Sequence, residues 1–346
     1  MSLEEMLAPL PAPAGMNSRE IVRRAIEYRD PPRIPYSFFL NPHASDLFAL
    51  MSGRSPFKKP AERGATYVDD WGVTWEVTGR LWDHAVEYPL ADLANLASCR
   101  FPELDDPAFF AGQRDLLRRA NAAGKYVVAG DPVMMFERMR SLMGYEELMM
   151  APYTQPAALE EFLDRLSDLT IACVHQYAGL GGIDGFMTWE DWGLQTGLQM
   201  DPQTFRRFYR PRYQRIIDAV HESGMHYIWH NCGNVEEILP DKVEMGVDVL
   251  QFDQPRLSGH ERLMQLLGGK VCMWNTVDIQ WSVADGVTEG DICREVETMV
   301  RIYDPGRYGG GFIARHYPQP RDIDLSAERQ RLIYAAFMDH GCSLPA

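Results

Sequence analysis

From residue 16 onward the sequence alternates between short apolar runs and longer stretches with helical periodicity. Residues 18–28 carry a helical pattern, with Ser18 as the expected N-cap and Pro31-Pro32 as the stop. Residues 34–39 read as a first strand, and 67–77, rich in aromatic and β-branched side chains, as a strand or hairpin. A helix over 116–123 precedes a buried strand at 126–129, and 156–178 form a long amphipathic helix closed by Gly179. The second half is more regular. Strands are expected at 185–189, 227–232, 247–252, 271–276 and 311–314. Helices are expected at 202–223, 235–245, 260–267, 289–303 and 326–340. Apolar runs of this length separated by helices imply parallel strands buried on both faces. About seven or eight of them in one uninterrupted chain fit an α/β fold, a single (β/α)8 TIM barrel with an N-terminal arm and helix, better than an open doubly wound sheet. The expected division is a tail over 1–15 and one barrel domain over 16–346. No Gly-rich phosphate loop opens any of the helices, which weakens a nucleotide-binding alternative.

Composition narrows the function. The 346 residues carry 34 Lys and Arg against 49 Asp and Glu, a formal charge of −15. That balance disfavours nucleic acid as a partner, because phosphate-tracking surfaces concentrate basic residues. No apolar run reaches the roughly 18 residues that span a bilayer, and the acidic, Pro-rich start is a poor signal peptide. No membrane partner and a cytoplasmic location are therefore expected. The six cysteines are unevenly spaced, unlike a disulfide framework. Only Cys232 has neighbours that suggest chemistry.

Chemistry in a parallel barrel sits at the C-terminal ends of strands. Four expected ends are polar: Trp189-Glu190-Asp191-Trp192-Gly193, His230-Asn231-Cys232-Gly233-Asn234, Asn275-Thr276-Val277-Asp278 and Arg315-His316-Tyr317. His230 and Cys232 share a strand face with Cα atoms roughly 6.5 Å apart. An imidazole and a thiolate so placed can converge on one zinc ion at about 2.0–2.3 Å. Glu190 and His316, from two other strand exits, complete an expected four-ligand set. The packed alternative is a hydrogen-bonded interior histidine beside a small buried thiol. Asp191, the neighbour of Glu190, is assigned to helix capping, to support of a ligand, or to substrate binding. Trp71, Trp189 and Trp192, with Asn275, are candidates for a substrate wall, and Asp70 and Asp278 for proton handling. A methionine-rich stretch at Met134-Met135, Met139, Met143 and Met149-Met150 reads as adaptable core packing.

These residues resemble the uroporphyrinogen decarboxylase superfamily from Met16-Asn17-Ser18-Arg19-Glu20 through the terminal helix. Asp30-Pro31-Pro32-Arg33-Ile34-Pro35, the block Asp191 to Gly197, the block His230 to Asn234, and Gly309-Gly310-Gly311-Phe312-Ile313 occur in the superfamily's order. The resemblance implies a (β/α)8 barrel, often a homodimer, with its site in the mouth. The superfamily's porphyrinogen decarboxylases carry arginines after the first strand, where this chain reads Phe38-Phe39-Leu40-Asn41-Pro42-His43-Ala44-Ser45. Fixed guanidinium forks are what a many-carboxylate substrate needs. The zinc methyltransferases of the other branch serve corrinoid proteins, and carry His-x-Cys here and commonly a late second Cys. That late Cys is replaced by the Arg315-His316-Tyr317 neighbourhood. The resulting expectation is a zinc methyltransferase moving a methyl group from a small, methoxylated aromatic substrate to a corrinoid (cobalamin) protein, an O-demethylation. The alternatives are a methyl-corrinoid:thiol methyltransferase, a decarboxylase, and a non-catalytic corrinoid-binding or sensor barrel.

Overall fold

The structure, a computed structural model, describes residues 3–37, 45–50, 60, 62–79, 83–104, 106, 109–110, 112–303, 305–317 and 320–341. Eleven strands are found among them. They are β1 (Tyr36–Ser37), β2 (Leu47–Leu50), β3 (Thr66–Val68), β4 (Thr74–Glu76), β5 (His84–Glu87), β6 (Tyr126–Gly130), β7 (Gly185–Trp189), β8 (His226–Asn231), β9 (Val249–Phe252), β10 (Cys272–Thr276) and β11 (Phe312–Arg315). Eight form one parallel sheet in the order β1-β11-β10-β9-β8-β7-β6-β2, a nearly closed barrel surrounded by helices. The remaining three form a small antiparallel sheet, β3-β4-β5, inserted between β2 and β6. The expected barrel is the observed fold. None of the helices among the described residues is long and apolar enough to cross a membrane.

Side-chain alternation sorts the barrel into two apolar layers. Leu47, Tyr126, Val128, Met187, Ile228, Val249, Cys272, Trp274 and Ile313 fill the interior. Phe48, Val127, Phe186, Tyr227, Trp229, Leu250, Met273, Phe312 and Ala314 face the surrounding helices. The helix Ser18–Ile26 contributes Val22 and Ile26 to the inner layer and closes the barrel floor. Its Arg19 and Arg23 both pair with the buried Asp184 just before β7, at 2.7 and 3.1 Å. The cap of this helix is Asn17, whose side chain accepts from Glu20 N–H, and not Ser18.

Several expectations shift by local chemistry. The N-terminal tail is a packed arm: Leu10 is buried, and the carbonyls of Ala8 and Pro11 accept from Lys125 and Arg33. The helix over 202–223 is broken by a wide π turn, Phe205–Tyr209, before Arg210–Glu222. Strands β2 (Leu47–Leu50) and β5 (His84–Glu87) were not expected from the sequence. The methionine-rich stretch is helical, Met135–Met143 and Tyr145–Thr154, with Met135, Met139 and Met143 buried and Met150 exposed.

The seam between β1 and β2 is held by one buried ion pair. Arg33 grips Asp46 through both terminal nitrogens, at 2.7 and 2.8 Å, and the same carboxylate accepts from Tyr36 N–H. Asp46 N–H then donates to Tyr36 O at 2.7 Å. Removing one partner of such a pair leaves an uncompensated buried charge, which costs about 3–5 kcal/mol. Asp46→Asn is therefore expected to lower unfolding stability by about that amount in a denaturant titration; a loss below about 1 kcal/mol would show that the seam does not depend on this pair.

Candidate metal centre

Two neighbouring strand ends build the site. On β8, Tyr227 and Trp229 point to the outer layer, so His230 points inward with Ile228, and Cys232 follows two residues on. On β7, Phe186 points outward and Met187 and Trp189 inward, so Asp191 continues the inward row. Trp189 lies opposite His230 in the parallel ladder, which brings the two exits together. The ligand atoms of Asp191, His230 and Cys232 all lie within 4.8 Å of one another, the one such group of His, Cys or carboxylate side chains among the described residues. His230 Nε2 is 3.5 Å from Cys232 Sγ and 3.6 Å from Asp191 Oδ1. Zinc bond lengths at a tetrahedral angle span donor–donor edges of about 3.4–3.6 Å. Both edges from His230 therefore match a zinc-sized cation, with the third donor pair within 4.8 Å.

A neighbouring side chain orients the imidazole as a metal ligand would need. His230 Nδ1 is 2.9 Å from Oε1 of Gln251, which faces inward from β9. Donation from Nδ1–H leaves the Nε2 lone pair aimed at the thiol and the carboxylate. Asp253, also buried, has Oδ2 4.0 Å from His230 Nε2, while its Oδ1 is taken by Arg315 at the end of β11. From outside the barrel, buried Lys242 donates to Asn231 Oδ1 and lies 3.9 Å from the Trp229 ring, fixing the end of β8. Burial pushes the Cys232 thiol well above its ordinary pKa, the carboxylates of Asp191 and Asp253 push it further, and Arg315 opposes them. Two carboxylates beside a thiol with one guanidinium make an electronegative pocket, and a divalent cation there would reverse the effect on the thiol.

Glu190 does not join this group, and Asp191 stands where Glu190 was expected. One residue earlier in the alternation, Glu190 points outward with Thr188 and is fully buried. Its Oε2 accepts from Phe136 N–H at 3.0 Å and Glu137 N–H at 3.1 Å, at the start of the helix Met135–Met143, and its Oε1 accepts from Tyr213 O–H at 2.9 Å. It anchors a helix N-terminus. His316, just past the end of β11, is buried but lies outside the donor group. Burial, aided by Arg315, depresses its pKa to about 3.

Most of the expected substrate wall is packing. Trp192 is fully buried, stacked 4.0 Å from Phe136. Trp71 is buried under the Arg138 guanidinium at 4.3 Å. Asn275 donates to Tyr303 O–H at 2.9 Å in the outer layer, and Asp278 caps a turn by accepting from Gln280 and Trp281 N–H, both at 3.0 Å. Asp70 is exposed between β3 and β4, in a surface cleft of about 450 Å³ lined also by Trp71, Asn95 and Arg100. Trp189 does face the mouth and is half-buried. So does Tyr317, which follows Arg315 in the inward row; burial first, then Asp253 and Cys232, raise its phenol pKa to about 12. The arginine-free segment at 38–44 lies outside the described residues. Sequence reasoning missed Gln251 and Asp253, although their two-residue spacing on an apolar strand was the signal that picked out His230 and Cys232.

Comparison with known proteins agrees with this architecture. Residues 87–313 match the sequence profile of the uroporphyrinogen decarboxylase (URO-D) family. A solved methyltransferase from Methanosarcina mazei has a TM-score of 0.56 at 16% identity, covering 78% of this chain and 76% of its own. An endo-β-1,4-xylanase from Gloeophyllum trabeum, with a TM-score of 0.41 at 10% identity, covers 66% of this chain and 80% of its own. D-psicose 3-epimerase from Clostridium cellulolyticum H10, with a TM-score of 0.39 at 8% identity, covers 73% and 88%. At these identities the likeness is one of fold, and the last two carry no argument. Among curated proteins, none matches the sequence. The match to the family profile spans well over half of the chain, and the chain belongs to the uroporphyrinogen decarboxylase family.

Proposed function

We propose that this protein is a zinc-dependent methyltransferase that moves a methyl group from a small methoxylated aromatic substrate to a corrinoid carried by a separate protein. The observation that carries the reading is the convergence of Asp191, His230 and Cys232 at the C-terminal mouth of the barrel. The name of the Methanosarcina mazei structure, a methyltransferase of similar fold, accords with it. A donor set of one sulfur, one nitrogen and one oxygen is harder than a two-thiolate set and suits an oxygen-bound methyl group. When bound, zinc supplies a Lewis acid that polarises the leaving oxygen.

The chain's own residues do the rest. Gln251 fixes the His230 tautomer so that Nε2 is available. Arg315 holds Asp253 beside the donors, so the extra carboxylate stays charge-balanced. Trp189 and Tyr317 offer aromatic faces at the mouth for a substrate ring. A many-carboxylate substrate is disfavoured because Arg315, the guanidinium beside the donors, is already committed to Asp253.

Two outcomes are expected. Protein purified without added metal should contain about one zinc per chain. Asp191→Ala, His230→Ala and Cys232→Ala should each lose it, whereas His316→Leu should keep it; elemental analysis reads both, and loss of zinc in His316→Leu alone would replace the donor set. With a methoxylated phenol and reduced cobalamin, zinc-loaded protein should release the free phenol, and chelation should abolish the release. Undiminished turnover by metal-free protein would remove the mechanism. Methyl transfer from methylcobalamin to a thiol with no action on the ether would favour the thiol-methylating alternative.

A further inference from the structure

Asp191 and Cys232 sit on different loops, and those loops touch backbone to backbone. We propose, resting on the metal reading above, that Gly193 and Gly233 are positioning residues whose direct crossing sets the separation of the Asp191 and Cys232 donors. A Cβ on Gly193 would stand 2.6 Å from Asn234 N and Gly233 C and 2.7 Å from Cys232 O. A Cβ on Gly233 would stand 2.2 Å from both the carbonyl carbon and oxygen of Gly193. The obstructing atoms are backbone, so no side-chain rotation relieves the conflict. Gly233 also adopts φ of +74°, whereas Gly193 does not adopt positive φ and needs its hydrogen for space alone.

The crossing is pinned on both sides. Asn234 N–H donates to Leu194 O at 2.7 Å, the antiparallel bridge between the loops, and within the first loop Leu194 N–H donates to Gly197 O at 2.7 Å. On the far side, Asp191 N–H donates to Glu137 Oε1 at 3.4 Å, and Asp191 O accepts from Gln199 Nε2. The helix that carries Glu137 is the one anchored by Glu190. Asp191 thus lies two residues from the crossing with its backbone tied at both polar groups, and Cys232 lies one residue from it. Gly233 N–H is itself tied to Gln254 Oε1 at 2.8 Å. Metal–ligand distances tolerate deviations of only about 0.2 Å. A methyl group that forces the loops apart therefore strains the donor geometry before it threatens the barrel.

The test compares Gly193→Ala with Gln195→Ala, an exposed position of the same loop. Zinc affinity is read by competition with a chromophoric chelator, the thiolate bond by the spectrum of the cobalt(II)-loaded protein, and the fold by the melting midpoint of the metal-free protein. Gly193→Ala should bind zinc on the order of 10–100-fold more weakly and show an altered cobalt spectrum. Its metal-free midpoint should stay near that of the wild type, and Gln195→Ala should match the wild type throughout. Wild-type affinity and spectrum in Gly193→Ala would overturn the inference, whereas absence of zinc from the wild type itself would sink the metal reading beneath it. Should Gly193→Ala fail to fold, amide exchange in the wild-type protein decides. Zinc should slow exchange at Asn234 N–H, and an unchanged rate there would overturn the coupling.

Discussion

A strand buried on both faces has one degree of freedom for chemistry: whether a residue falls on the odd or the even position of the alternation. In this barrel that choice separates the interior from the helix layer, and at the mouth it decides which polar side chains can meet. Met187, Trp189 and Asp191 form one inward row, and Ile228, His230 and Cys232 the next. Gln251 and Asp253, then Arg315 and Tyr317, continue the ring. Of the residues between them, Glu190, Asn231 and Asn275 are as polar but serve the packing of helices against the barrel.

The same constraint explains how much could be read from the sequence. The second half of the chain was legible because long apolar strands and amphipathic helices alternate there, and 185–189, 260–267 and 289–303 coincide with observed elements. His230 and Cys232 were legible because both lie on one strand, where spacing alone gives a shared face. Glu190 and His316 were misassigned because they were placed by nearness to a strand exit, for Glu190 without counting the alternation from Phe186. The tryptophans misled for a different reason. Trp71 and Trp192 sit near the mouth in sequence, but an indole ring large enough to bind a substrate is also large enough to fill the gap between a loop and a helix. The Gly193–Gly233 crossing had no signature at all, since nothing in one loop announces which other loop it touches.

The mouth gathers negative groups at a partly buried site. Partly exposed Asp191, buried Asp253 and a half-buried thiol lie within reach of one imidazole, and one guanidinium, Arg315, balances one of the carboxylates. Charges in such a place are retained when they are paired or when they hold an ion. Glu190 shows the contrast: burial and the nearby Asp131 and Glu137 raise its pKa well above the carboxylate range, and backbone and phenol donors satisfy its oxygens. The two adjacent acids thus divide two tasks, one bracing the helix Met135–Met143 and the other facing the mouth.

X-ray absorption at the zinc edge of the metal-loaded protein tests the central claim most directly, because it counts the atoms around the ion. The account predicts one sulfur scatterer at about 2.3 Å and nitrogen or oxygen scatterers at about 2.0–2.2 Å, with the sulfur lost in Cys232→Ser. A shell with no sulfur, or with imidazole from two histidines, would contradict the assignment of Asp191, His230 and Cys232 as the donors.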